Sequence, residues 1–313
     1  MSQSSQFKRA DGTQLDLVPG FRERVLAMPR TEVRPTLAWS DQDFVDAAEE
    51  RIKRIQRLIQ GASARGVELA GTRVLELGCG PGVDSLLLAA LAPTAEVVGI
   101  DLALPLLEDN EEATHVRRLA ATALEMLGLK GPIEKVIADL PVRLERMSAT
   151  DMSFPDTHFD VCWSDKVLEH VKPLDQCLAQ MWRVMRPGAV AFHAVDPYYW
   201  LKGCHRRGLV DMPWAHARLE PAEVVEVALL TRGRRHAARC ESRLAELNQM
   251  TLRAWREAID ATPFDVLKWH VSRSDFAERT LAEFPEVLET LLDGVSSDDL
   301  VHSAISFWLR RPA

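Results

Sequence analysis

Residues 73–82 read RVLELGCGPG, a short apolar run closing on glycines 78, 80 and 82. A run of this length bounded by turn residues reads as a buried strand, Arg73–Leu77. Glycine lets the chain turn sharply through positive φ and lets a ligand approach the backbone closely. The helical stretch Val83–Leu91 follows, so its free N–H groups point at whatever occupies the turn. The spacing discriminates between ligands. A dinucleotide fingerprint, GxGxxG/A, requires a small residue at position 83, where this chain has Val83. The pattern is instead ExGxGxG, with Glu76 leading, and it favours a smaller zwitterionic ligand over a pyrophosphate.

Strand-like and helix-like segments alternate on either side of this turn. Upstream, Pro19, Pro29 and Pro35 break any long helix within residues 1–37. Asp41 then opens a helix, with Phe44, Val45, Ala48, Ile52, Ile55, Leu58 and Ile59 at helical spacing, and Gly61 is expected to stop it. Downstream, Glu96–Ile100 reads as a second strand, residues 104–129 as helical, and Val142–Met147 as a weaker third strand preceded by an elbow at 130–141. His158–Trp163 reads as a fourth strand, residues 173–185 as a helix, and Ala189–Val195 as a fifth strand. This alternation predicts an α/β fold with a parallel sheet covered on both faces. Beyond Val195 the pattern changes to helices near 220–230, 234–247 and 251–260, and then two late strands, Phe264–Val271 and His302–Leu309.

Two further carboxylates fall at predicted strand ends. Asp101, in GID (99–101), lies 25 residues after Glu76 and can accept both hydroxyls of a ribose lying across the strand tips, or can simply cap the next helix. Asp151 follows the third strand in ATDMSFPDTHFD (149–160). It can accept from an exocyclic purine amine, with Met152 offering a polarizable face to the ring, or it can be an ordinary turn residue.

Together LELGCGPG, GID, ATDMSFPDTHFD, DKVLEHV and QCLAQMWRVMRPGA resemble the class I S-adenosylmethionine-dependent methyltransferases, of the small-molecule type, over roughly residues 70–195. The resemblance implies a Rossmann-like, mostly parallel seven-stranded sheet with helices on both faces, its last strand antiparallel, and S-adenosylmethionine as cofactor. It implies that Glu76, Gly78, Cys79, Gly80 and Gly82 line the methionine and ribose side of the cofactor, that Asp101 holds the ribose, and that Leu102 borders the adenine. Asp151 with Met152 would meet the adenine amine, and Ser164 and Asp165 would face the methyl group and substrate. Arg186-Pro-Gly would be the turn before the fifth strand. The span from Asp101 to Asp151 is longer than the family pattern. The expected organisation is an N-terminal helical segment (1–65), the cofactor-binding core (66–195), a helical substrate cap insertion (196–261) and a final strand pair (262–313).

Substrates of open α/β sheets sit beyond the carboxyl ends of the strands. Those ends offer Asp165, Lys166, Glu169 and His170, then His193 and Asp196. The loop DPYYWLKGCHRRGLVDMPWAH (196–216) adds Tyr198, Tyr199, Trp200, His205, Trp214 and His216. It reads as a pocket lining, or alternatively as rings packed against the sheet. Methyl transfer from a sulfonium needs alignment and exclusion of water, and a base only where the nucleophile carries a proton. His170 is the first candidate for base or orienter, followed by His193 and His216, with Tyr198 and Tyr199 as orienting groups and Asp165 beside them. His193, Asp196, His205 and His216 have metal-ligand chemistry, but their spacing matches no tight metal motif, so no metal is expected. Arg232, Arg234, Arg235, Arg239 and Arg243 read as a solvated face or as partners for nearby glutamates, and more sharply as an anion clamp. Lys202, Arg206 and Arg207 stand nearer the predicted pocket as anion-binding groups.

The chain has 313 residues, 47% hydrophobic and 27% charged, with formal net charge -8. That composition is globular and makes a poor electrostatic partner for nucleic acid or an anionic membrane. The residues after the fourth strand, SDKV, lack the Asn/Asp-Pro-Pro-aromatic run of base-amine methylases. The five scattered cysteines argue against a disulfide framework or structural zinc. The N-terminus does not read as a secretory signal, no apolar run is long enough to span a bilayer, and a reducing cytoplasm is the expected location. The expected activity is methylation of a small-molecule substrate, foremost O-methylation in secondary or sugar metabolism. The alternatives are S- or N-methylation of an amino-acid-like metabolite, and a non-catalytic cofactor-binding interaction protein. No nucleic acid or membrane partner is expected, and a homodimer is a candidate assembly.

Overall fold

A computed structural model describes residues 6–27, 39–108 and 110–313. Pro29 and Pro35 lie outside these. Two short strands, β1 (Gln6–Lys8) and β2 (Gln14–Asp16), pair antiparallel at the N-terminus. Seven others form one sheet: β3 (Arg73–Leu77), β4 (Glu96–Asp101), β5 (Val142–Arg146), β6 (Phe159–Asp165), β7 (Met185–Val195), β8 (Asp265–Arg273) and β9 (His302–Arg310). Their order is β5-β4-β3-β6-β7-β9-β8. Only β9 runs antiparallel to its neighbours. The order reverses between β3 and β6, which opens a crevice beyond the carboxyl ends of those two strands.

Period-two alternation decides which side chains face which helices. Val74, Val161, Trp163 and Val190 pack with the helices at Asp41–Ser63, Val83–Leu91 and Glu111–Met126. Leu75, Cys162, Ala191 and Phe307 pack on the other face with the helices at Leu174–Val184 and Leu252–Asp260. Ser40 and Asp43 form a capping box at the start of the 41–63 helix, worth about 1 kcal/mol. Its buried stripe is Phe44, Ala48, Ile52, Ile55, Leu58 and Ala62.

Three local expectations are corrected and a fourth is given its structure. Gly61 does not stop its helix, which runs on to Ser63. A Cβ at 61 would lie 3.1 Å from the Trp308 ring, so this glycine serves close packing against β9. The stretch 104–129 is not one helix: a short 3-10 turn, Pro105–Leu107, precedes a helix that begins where the Asn110 side chain accepts from Ala113 N–H. The elbow at 130–141 contains a short helix, Ile133–Ala138. Arg186-Pro-Gly is part of β7, which starts at Met185 and shifts register against β6 there.

The three helices expected after Val195 form, at Pro221–Arg232, Arg234–Glu246 and Leu252–Asp260. A third apolar cluster joins Tyr198, Leu201, Trp214, Val224 and Cys240 to Phe7, Leu15, Phe21 and Val25 from the N-terminus, and to Val287 and Leu300 from the C-terminal region. Among the described residues no helix is long and apolar enough to cross a membrane.

Candidate cofactor and substrate site

The glycine turn connects β3 to the helix at Val83. Gly78, Gly80 and Gly82 all have positive φ, at 62°, 51° and 77°, but they serve different purposes. A Cβ at Gly78 would run into the side chain of Val167, and one at Gly82 would lie 2.5 Å from Leu144. A Cβ at Gly80 would meet nothing within 4 Å. The open side of the turn is therefore at Gly80. There a cradle exists that a side chain would fill, and it suits a ligand lying against the backbone.

Register places the predicted acids along one edge. Leu77 pairs with Ile100, so Asp101 stands beside Gly78, and Asp101 pairs in turn with Arg146 of β5. Asp101 Oδ2 accepts from Gly80 N–H at 2.8 Å, and Oδ1 accepts from Ala103 N–H at 3.0 Å. The helix-cap reading is corrected, because the next turn and helix are capped by Leu104 and Asn110; the Asp101 carboxylate instead ties the glycine turn to β4 and remains on the open edge. Leu102 beside it is 73% exposed. Asp151 is exposed in a bridge with Ser148 just past β5, and Met152 is buried. Cys79 is buried under the turn, its N–H donating to Ile100 carbonyl at 3.0 Å, and burial followed by the Glu76 charge pushes its thiol up.

Glu76 is buried and accepts from the Ser85 hydroxyl. Burial, and then the charge of Asp84, raise its pKa to about 8. Arg54 crosses from the 41–63 helix to pair with Asp84 and, at 2.7 Å, with Asp165. Arg51 pairs with Asp84 at 2.8 Å. Burial opposes the Arg54 charge, but Asp84, Asp165 and Glu76 outweigh it and hold its pKa up. Sequence reasoning missed Arg51, Arg54 and Asp84. The available signal was two arginines three residues apart on one helix face and an acid in the first turn after Gly82.

The candidate bases separate. His193 is fully buried against Phe307, with Nδ1 2.7 Å from the Ser164 hydroxyl. Desolvation lowers its pKa to about 3. Its expected role as a base is corrected to a structural one, because the ring has no exposed edge. Ser164 is equally buried. His170 follows β6 in the turn Leu168–His170, keeps part of its ring exposed, and stacks on His205 with ring centroids 5.3 Å apart. Glu169, 1% exposed, lies between them and the backbone N–H of Asp196.

The aromatic loop divides as well. Tyr198, Tyr199 and His216 line a cavity of about 420 Å³ with Arg9, Glu220 and Gln249. His216 is corrected from base candidate to lining residue: it is buried, its Nε2 is 3.0 Å from the Trp200 carbonyl, and desolvation lowers its pKa to about 4. Trp214 does not face a pocket. It is buried within the cap, where its indole N–H donates to Leu300 carbonyl at 3.3 Å. Trp200 packs against the same cluster. Of the arginine cluster, Arg232 pairs with Glu23 and Asp211 and Arg243 with Glu246, in line with the reading of partners for nearby acids.

A glycine turn at a switch point, an acid at or just past each of three adjacent strand ends and an open cradle over Gly80 are the features that a nucleoside-binding α/β domain would use. The profile of a methyltransferase domain matches residues 75–193. An uncharacterized 37.1 kDa protein of a Streptomyces fradiae transposon is 34% identical over 182 residues, 55% of this chain and 45% of that one. The malonyl-[acyl-carrier protein] O-methyltransferase of Legionella pneumophila is 29% identical over 152 residues, 47% of this chain and 46% of that one. The chain thus spans about half the length of these curated relatives. A protein assigned as a sarcosine dimethylglycine methyltransferase from Galdieria sulphuraria shares the fold, with a TM-score of 0.51 at 12% identity over 93% of this chain and 97% of that one. Residues 75–193 are thus similar to a methyltransferase domain, and the likeness points to the class I S-adenosylmethionine-dependent methyltransferases, with S-adenosylmethionine the cofactor it implies.

Proposed function

We propose that the protein methylates a hydroxyl group of a small molecule of secondary or sugar metabolism, held at the carboxyl edge of the sheet beneath the 196–261 segment. The observation that carries this reading is the open, positive-φ Gly80 tied to Asp101 at the switch point. When bound, S-adenosylmethionine supplies a methyl carbon made electrophilic by its sulfonium. Asp101 would hold the ribose, Asp151 and Met152 the adenine, and Gly78 to Gly82 the amino-acid end. Asp165, fixed by Arg54, and Tyr198 and Tyr199 would orient the acceptor. A hydroxyl must lose a proton as its oxygen gains the methyl group. Glu169, His170 and His205 stand beside the edge where this proton is released. An acceptor of O-methyl chemistry is also what the malonyl-[acyl-carrier protein] relative is named for.

The test is transfer of labelled methyl from S-adenosylmethionine to a panel of hydroxyl, thiol and amine acceptors. Label on hydroxyl acceptors supports the reading. Label confined to amines or thiols overturns the O-methyl assignment, and no label on any acceptor overturns the activity.

A further inference from the structure

The turn after β6 places Glu169 and His170 beside His205 of the following loop. Glu169, His170 and His205 each offer one ligand atom, all within 4.8 Å of one another. Two of these groups end in buried atoms without a hydrogen-bond partner: Oε2 of Glu169 and Nε2 of His205. Such atoms carry a desolvation cost of about 1–3 kcal/mol each unless something satisfies them. The third group, His170, stacks on His205 with ring centroids 5.3 Å apart.

We propose that Glu169, His170 and His205 bind a divalent transition-metal ion of the zinc or iron(II) class. Two imidazoles and one carboxylate are a borderline-soft donor set that leaves one or more positions open. Ligand bonds of about 2.1 Å place two donors on one ion roughly 3–4 Å apart, so the three atoms need to close by about an ångström. The scaffold is shaped for this. His205 is held at a φ of 53°, an unusual conformation for a non-glycine residue. Gly203 precedes it in a turn so tight that a Cβ would collide with the carbonyls of Pro197 and Tyr198. Asn248 fixes the opposite wall, its N–H donating to Glu169 carbonyl at 2.8 Å and its side-chain amide to Leu168 carbonyl at 2.9 Å.

The site is close to the cofactor cradle, because Val167, two residues before Glu169, closes over Gly78. Resting on the hydroxyl-methylation reading, the open position would take the acceptor oxygen. The bound hydroxyl gives its proton to water, and an oxygen lone pair forms the new bond to the methyl carbon. The C–S bond breaks, with its electron pair left on a neutral thioether.

The experiment uses the full chain stripped with chelator and titrated with Zn²⁺ alone by calorimetry, and with Co²⁺ alone by visible absorption. S-adenosylhomocysteine binding is measured on the same samples. One-to-one binding of either ion is expected, weakened at least tenfold in Glu169→Gln and His205→Ala and unchanged in His158→Ala at the opposite sheet edge. No saturable binding of either ion, or binding that the Glu169→Gln/His205→Ala double variant retains, overturns the proposal. Retained S-adenosylhomocysteine affinity shows that the variants fold, and separates the two ideas. If it persists without metal binding, only the metal site fails. If it is absent from the wild-type protein, the methyltransferase reading fails whatever the ion does.

Discussion

Asp101 Oδ2 accepts the backbone N–H of Gly80 at 2.8 Å, so the carboxylate expected to hold a ribose also holds the turn that forms the floor of the site. The acid therefore acts twice, on the shape of the glycine turn and on the ligand. In Asp101→Asn the amide can still accept from Gly80, but the charge is gone. A hydrogen bond to a charged group is worth about 1.5–3 kcal/mol. S-adenosylhomocysteine affinity by calorimetry should fall about 10- to 100-fold, with little change in melting temperature. Equal affinity in the variant would remove Asp101 from the site.

Gly80 and Gly82 should respond differently to alanine. At Gly82 the new methyl meets Leu144 in the core, and the backbone is left-handed. Gly82→Ala should lose about 2–3 kcal/mol of stability by urea unfolding. At Gly80 only the φ penalty of about 1 kcal/mol applies to folding, while the methyl enters the open cradle. Gly80→Ala should lose cofactor affinity out of proportion to stability. The reverse ranking would mean that the ligand lies elsewhere.

Arg54 links Asp84 and Asp165. Arg54→Met leaves the buried Asp84 with Arg51 alone and Asp165 without its anchor. Loss of up to about 3 kcal/mol is expected. In a double-mutant cycle with Asp165→Asn the two losses should be non-additive by at least 0.5 kcal/mol. Additive losses would show that the pair contributes nothing.

His193 titrates at about 3 when folded, below its ordinary 6.5. Between those values the unfolded chain binds the proton and the folded one does not, so this group's contribution is complete above pH 6.5 and is lost as pH falls toward 3. Glu76, raised to about 8, acts oppositely, weakening the fold as pH rises from 4.5 to 8. A difference between variants isolates one group. The urea-unfolding free energy of His193→Leu minus that of the wild type should rise by roughly 1.4 kcal/mol per pH unit on going down from pH 6.5. Parallel pH curves would place His193 in contact with water.

The sequence by itself determined where the strands of a parallel sheet begin and end, within a few residues, and the position of the glycine turn, because these follow from local signals: apolar runs of strand length, glycines that alone tolerate positive φ, and acids at strand ends; the seven-stranded sheet came from the family resemblance, and the strand order was decided by the tertiary structure. The sequence also located His170 and His205, but as separate candidates in separate segments. Only the tertiary structure decided that His193 is sealed in the core and that Trp214 packs within the cap. It also decided that Arg54 reaches Asp165 across 111 residues, that residues 6–27 share an apolar cluster with the segment after Val195, and that Glu169, His170 and His205 converge. Burial and convergence depend on which surfaces of distant elements meet. Side-chain packing fixes that, and no local periodicity records it.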